Sequence, residues 1–447
     1  MFYITAFICS LLVCVIVNYS QSSSEKVARS PSFQKFQVNY IAVFLLSMAS
    51  DWLQGPYVYA LYEKYGYQEG DIGKLFIMGF GSSMIFGTVV GSFADKYGRK
   101  KNCILYGIIY GASCLTKHSP NFWILMCGRL LGGIATSILF SAFESWMIYE
   151  HNKMQFPPEL ISNTFSVATF GNGVVAIVSG LVASFVAEKF GYVAPFDVAV
   201  ALLILVVIVV SATWSENYGD QRHQMSTSFA TAWRYLINDP KIWMLGAIQS
   251  LFEGAMYIFV FKWTPSLSDP NPDPKKRIPI PHGLIFACFM VCVMIGSAVF
   301  KFLIARKRVE SFSRFMFLLA TLTMLVPVLT ESREVRFFGF LLFEVCCGIF
   351  WPCLGTMRSK YVPEEVRATL MNFFRIPLNL IVVFLLVETG KLSATTIFLC
   401  NVGLLSLATG CQHALYAQTK TILQQEIDRA LLSSSDMDLG SEDHDHS

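Results

Sequence analysis

Charge is what this chain has least of. Of its 447 residues only 15% are Asp, Glu, Lys or Arg, against roughly 25% in an ordinary globular domain. Hydrophobic residues make up 54%, including 38 Phe, so polar groups are too few to cover a water-facing surface. No G-x-x-x-x-G-K-[ST] string occurs, which removes the phosphate-cradling loop of nucleotide-driven pumps. No His pair or Ser–His set falls inside an apolar run, and most of the seven His lie in loops or near the C-terminus. Neither enzymatic chemistry nor a cofactor is therefore expected. The twelve Cys follow no metal-ligand or disulfide spacing and sit in or beside apolar runs, as small packing residues do. A net charge of +3 leaves no footprint for nucleic acid.

What the chain does have is long apolar runs. A bilayer core about 30 Å thick is crossed by about 20 apolar residues in a helix. Backbone polar groups must pair internally there. Runs near 38–62, 72–94, 102–117, 122–148, 160–187, 194–214, 242–264, 282–303, 312–330, 336–356, 369–388 and 393–416 predict core spans, and 2–18 predicts one more. The expected fold class is all-α, a polytopic membrane protein. Residues 1–20 form an N-terminal span, 36–214 and 242–416 two six-helix bundles, 215–241 a polar cytoplasmic loop and 417–447 a polar cytoplasmic tail, disordered in its acidic part.

Lys and Arg set the orientation. Segment 2–18 lacks a basic start, and Lys26, Arg29 and Lys35 follow it. That flank suits a retained anchor with its N-terminus outside. The inside loops then hold Lys96, Arg99, Lys100 and Lys101; Arg222, Arg234 and Lys241; Arg306, Lys307 and Arg308; and Arg358, Lys360 and Arg367. Lys275, Lys276 and Arg277 fall outside, in a Pro-rich stretch read as a structured loop. The plasma membrane is the expected location. The run Asp443-His444-Asp445-His446 lacks a third anchoring element, so no metal site is expected.

The strongest local pattern is Gly91-Ser-Phe-Ala-Asp95-Lys96-Tyr-Gly98-Arg99-Lys100-Lys101, between the second and third core runs. Gly91 and Gly98 permit a tight turn and close approach. Asp95 suits the positive end of a helix dipole, and Arg99 suits a carboxylate on a neighbouring helix. Glu144 and Glu150 end the fourth run on the inside. The loop resembles a major facilitator signature loop, and that resemblance implies Glu150 as the latch partner of Arg99 and leaves Glu144 between latch and pathway. Together these residues read as a gating latch. Gly79, Ser83, Gly87 and Gly91 form a stripe of small residues, which admits another helix backbone.

Charges at membrane depth cost about 2.5–3.5 kcal/mol each at a helix centre, so they mark function. Asp51 and Glu253 fall near mid-depth on the first and seventh core runs. Asp51, Gln54 and Gly55 cluster on the first run, where Gly55-Pro56 can unwind the helix. Gln249, Glu253 and Tyr257 share a face. Arg129 lies in the fourth run and Arg375 in the eleventh, one turn before Asn379; Glu344 lies in the tenth. Structural pairing among these charges is the alternative reading, and it weighs most for Glu344.

The 91–101 loop resembles the signature loop of the major facilitator superfamily, and Arg129-Leu-Leu-Gly-Gly133-Ile-Ala135 resembles its fourth-helix motif. The second-half counterpart, Lys301 to Arg308, is degenerate. Four longer strings, Asp51–Tyr59, Leu139–Trp146, Phe252-Glu253 with Ile258–Pro265, and Phe374–Asn379, resemble the molybdate-anion transporter branch. The resemblance covers about residues 30–416. It implies a secondary carrier for molybdate, a tetrahedral dianion, working by alternating access in the lipid bilayer. Arg suits an oxyanion because its fork donates two hydrogen bonds. Arg375 and Arg129 are the deep cations available, with Gln54, Tyr57, Gln249 and Asn379 as neutral donors. Asp51 and Glu253 repel a dianion unless protonated or paired, which makes protons candidate co-substrates. A carrier of another anion, a sugar or a cation, and a non-transporting scaffold or sensor, stay open on the residues alone.

Overall fold

The computed structural model describes residues 2–19, 30–87, 89–157, 159–218, 225–268, 279–363, 366–388 and 392–442, some of them as backbone only. Every regular element among them is helical. Helix α1 (Phe2–Tyr19) precedes a first half made of α2 (Pro31–Trp52) and α3 (Val58–Lys64), α4 (Glu69–Gly87) and α5 (Val90–Tyr97), α6 (Arg99–Leu115), α7 (Phe122–Leu139) and α8 (Ala142–Lys153), α9 (Glu159–Phe190) and α10 (Ala194–Thr213). After α11 (Met225–Asn238), the second half comprises α12 (Pro240–Leu267), α13 (His282–Ile304), α14 (Val309–Leu329), α15 (Arg333–Tyr361), α16 (Arg367–Glu388) and α17 (Ala394–Glu442). Each half provides six spans, and the chain is an all-α, multi-pass membrane protein of two six-helix bundles plus an N-terminal helix.

The equivalent first spans start alike. Ser30 and Asp239 cap α2 and α12, their side chains accepting the Phe33 and Lys241 amides, and each is followed by proline. Proline suits a first turn because its missing N–H would be unpaired there anyway. The halves then differ in continuity. In the first, Gly55-Pro56 breaks the chain between α2 and α3, as expected, and Ser141 separates α7 from α8. In the second, α12, α14, α15 and α16 run on through Pro265, Pro327, Pro352 and Pro377.

Each half has its own apolar core. The first gathers residues such as Phe33, Tyr40, Phe143, Phe196 and Trp214. The second gathers Phe252, Phe259, Phe317, Phe343 and Phe350, and includes Cys14 of α1. Lipid tails are as apolar as these side chains, so packing rather than burial holds the helices together. Backbones approach closely where Gly296 of α13 and Gly348 of α15 face the Val345 and Val293 carbonyls. α1 lies against α13, and Phe2 packs on Phe337 and Phe338 at the start of α15.

Three expectations change. The stretch 215–241 is not all loop, because it contains α11. The acidic part of the tail is not without helix, because α17 continues as backbone to Glu442. Arg358 is not a loop charge: it lies within α15 and faces α12. Lys275, Lys276 and Arg277, and the Asp443–His446 run, lie outside the described residues.

Candidate functional site

The halves meet most firmly at the end opposite the 95–101 loop. There Lys262 of α12 donates to Glu69 at the start of α4. Phe261 packs edge-on to Tyr59 and Phe76. His282 of α13 packs against Tyr57 and Tyr192. Gly180 of α9 and Gly283 of α13 bring backbone against backbone. Further in, Phe80 and Tyr257 close the layer with ring centres 4.7 Å apart. At the loop end, α5 and α8 pack within their own half. These contacts close the far end of the structure.

A polar cluster lies just below that layer. Glu253 is buried one turn before Tyr257 on α12, with Gln249 buried one turn further toward the loop end. Arg358 of α15 brings Nη2 to 3.7 Å from Glu253 Oε1. Arg375 is exposed about 12 Å along α16. Its Nη1 lies 3.5 Å from where a Cβ on Gly87 would sit, with Ser137 Oγ 3.6 Å from the same point. The small-residue stripe thus gives Arg375 access to the first half. Asn379 turns back to donate to the Arg375 carbonyl at 2.6 Å. Both arginines act electrostatically on Glu253.

The first-half candidates do not join this cluster. Asp51 accepts from Tyr110 of α6. Arg129 donates Nε to the Leu75 carbonyl at 3.2 Å and stacks over Phe76 at 4.8 Å. Gly79 makes room for it, since a Cβ there would lie 2.6 Å from the guanidinium. Gln54 donates to the Ser50 carbonyl within its own turn, and Tyr57 belongs to the far-end closure. Glu344 is buried in α15, away from the arginines, and acts on Cys292 of α13.

At the loop, the geometry departs from the expected latch. Glu150 is buried and accepts from Asn217 at 3.0 Å and from Lys153 at 3.5 Å, rather than from Arg99. Arg99 donates to the Ser145 carbonyl at 3.1 Å. Glu144 is exposed. Gly91 and Asp95 lie in α5, and their side chains are outside the described ones. Glu216, just beyond α10, caps α6 by accepting the Lys100 and Lys101 amides at 2.9 and 3.3 Å. A carboxylate there answers the positive helix terminus. Gly98 has φ +112°, and a Cβ on it would lie 2.6 Å from the Glu216 carboxylate, so both conformation and space demand glycine. Trp146 stacks on Trp214 at 3.7 Å and ties the same corner.

Two residues were not among the sequence candidates. Arg358 was hidden among basic residues near a helix end, and only α15's length and direction bring it to Glu253. Glu216 gave no signal, because a cap 116 positions away in sequence leaves no local pattern.

The architecture matches solved structures. The nucleoside transporter NupG superposes with a TM-score of 0.69 at 12% identity, over 85% of this chain and 99% of that one. The peptide transporter PepTSo gives 0.69 at 12%, over 88% and 99%. Residues 1–337 match the MFS_5 family, described as sugar transporters with 12 TM. A protein named molybdate-anion transporter from Xenopus tropicalis is 37% identical over 371 residues, 80% of each chain. One of the same name from Danio rerio is 32% identical over 447 residues, covering 91% of this chain and 90% of its own. This chain belongs to the major facilitator superfamily, on the molybdate-anion transporter branch. As a major facilitator it is a membrane transporter of a small solute.

Proposed function

We propose that the solute is a small tetrahedral oxyanion, molybdate foremost, carried by alternating access around the Arg375–Glu253–Arg358 cluster. The observation that carries this reading is Arg375, an exposed guanidinium between the halves, below the closed layer. A cation at that depth is costly unless an anion answers it, and the one carboxylate that it acts on, Glu253, is shared with Arg358. A fork of donors matches oxyanion geometry, which an ammonium does not. The names of the relatives agree with this substrate class. The expected cycle opens the far end by parting Lys262 from Glu69 and the aromatic layer, while the loop end closes over the site. The plasma membrane stays part of the proposal, as does the division into 1–20, 36–214, 215–241, 242–416 and 417–447.

The test is molybdate uptake, normalised to surface protein, in cells lacking other molybdate carriers, with sulfate and sugars as competitors. Arg375→Gln should nearly abolish uptake, and Arg375→Lys should leave a fraction of it. Wild-type uptake in Arg375→Gln would remove Arg375 from the site. Competition by a sugar and not by sulfate would instead favour an uncharged solute, the reading to which the family description points.

A further inference from the structure

Arg358 and Glu253 face each other without completing a hydrogen bond. Their separation of 3.7 Å exceeds the roughly 2.7–2.9 Å of a charge-assisted one. Both carry buried atoms without hydrogen-bond partners, Nε on Arg358 and Oε1 on Glu253. Leaving such groups unmade is expensive away from water. The contrast with Lys360, two residues along, is informative. Lys360 reaches Glu310 of α14 at 2.6 Å, and Tyr361 donates to the same carboxylate. That basic residue is committed to the scaffold. Arg358 points the other way, into the cluster, and Arg375 acts on it electrostatically.

We propose that Arg358 is the second cation of the oxyanion site, held in reserve by Glu253 in the empty carrier and handed to the anion when the site fills. This rests on the oxyanion reading above. A tetrahedral oxyanion offers the acceptors that the Arg358 guanidinium lacks. Charge balance fixes what Glu253 must then do. Two guanidinium groups match one dianion only when the carboxyl is neutral, so Glu253 takes one proton from water as the anion arrives. The charged groups facing it are Arg358 from α15 and Arg375 from α16. On its own helix, Gln249 lies beside it and Tyr257 is the nearest titratable neighbour. From α17 the Asn401 amide donates to the Ala255 carbonyl, and Cys400 packs near Ile258.

The experiment measures molybdate binding to the purified full-length protein in nanodiscs by calorimetry, at neutral and mildly acidic pH. Arg358→Gln should weaken binding about tenfold or more, the scale of a lost charge-assisted contact. Arg358→Lys keeps the charge and loses the fork, so it should weaken binding severalfold while folding normally. Glu253→Gln should bind at least as tightly as the parent protein and lose the pH dependence. The double variant Glu253→Gln/Arg358→Gln should stay as weak as Arg358→Gln. Parental affinity in the double variant, or in Arg358→Lys, would reduce the pair to a structural contact and overturn the proposal. Full pH dependence in Glu253→Gln would overturn the proton step. If the parent protein binds none of molybdate, tungstate and sulfate, the oxyanion reading itself fails, and Arg358's role falls with it.

Discussion

Asp51 and Glu253 stand on the first spans of the two halves, yet their surroundings differ. Asp51 sits two residues before a break in its span and accepts from the Tyr110 hydroxyl. Arg129, within electrostatic reach of it, gives its Nε to a backbone carbonyl and its face to Phe76. Glu253 sits in an unbroken helix, and its arginine stops 3.7 Å short. At these two equivalent positions, then, the first half has used its charges to build itself, and the second has left its pair short of a hydrogen bond. Depth in the membrane alone therefore does not mark a binding residue; unspent hydrogen-bonding capacity does.

The largest effect should come from the structural side of this contrast. Gly98→Ala places a methyl in a left-handed backbone and into the Glu216 carboxylate. Strain of that kind costs about 1–3 kcal/mol before the clash is counted, so most of the folded, monodisperse protein should disappear in fluorescence-detected size-exclusion chromatography. The turn between α13 and α14 contains no left-handed residue among the described ones, so Arg306→Ala should leave abundance near the parental level. Equal losses in both would erase the distinction between the two turns.

Next comes the Asp51–Arg129 grouping. Arg129→Met alone should reduce abundance, since it takes a neighbouring cation from Asp51 and a donor from the Leu75 carbonyl. Joined with Asp51→Asn, it should recover, because both half-buried charges vanish together. Uptake per folded molecule should then stay within about twofold of the parent. If uptake collapses in the double variant while surface abundance is normal, the first half also contributes to the site.

The smallest effect is expected at the far end. Lys262 is buried and Glu69 about one-third exposed, so Lys262→Met removes a desolvated charge and returns the carboxylate to water. Folding should be unaffected. The equilibrium should shift a few-fold toward opening, a change of about 1 kcal/mol. Distance measurements between labels on α3 and at the end of α12 would record it, and an unchanged distribution would show that the aromatic layer holds that end without the ion pair.

Much of this was legible in the residues. Spans longer than a bilayer is thick announce themselves by composition, and Gly55-Pro56 announced the break in the first. The glycine stripe on α4 foretold a close approach, although not that an arginine from each half would use it. The expected pairing of Arg99 with Glu150 failed because the Ser215–Asn217 segment folds back under the loop. Asn217 takes the Glu150 carboxylate, Glu216 takes the α6 amides and Ser215 takes the Trp146 indole.

The sequence by itself determined the membrane, the number of spans and the superfamily, because apolar length and a compact loop motif are local properties written in consecutive residues. Only the tertiary structure decided which buried charges are spent and which remain free to bind. Hydrogen bonds over 3 Å or less join residues many positions apart, such as Asn217 with Glu150, and their presence or absence leaves no trace along the chain. Arg358 is the plainest case. By composition it is one basic residue among several near a helix end, and only the packing of α15 against α12 turns it toward Glu253.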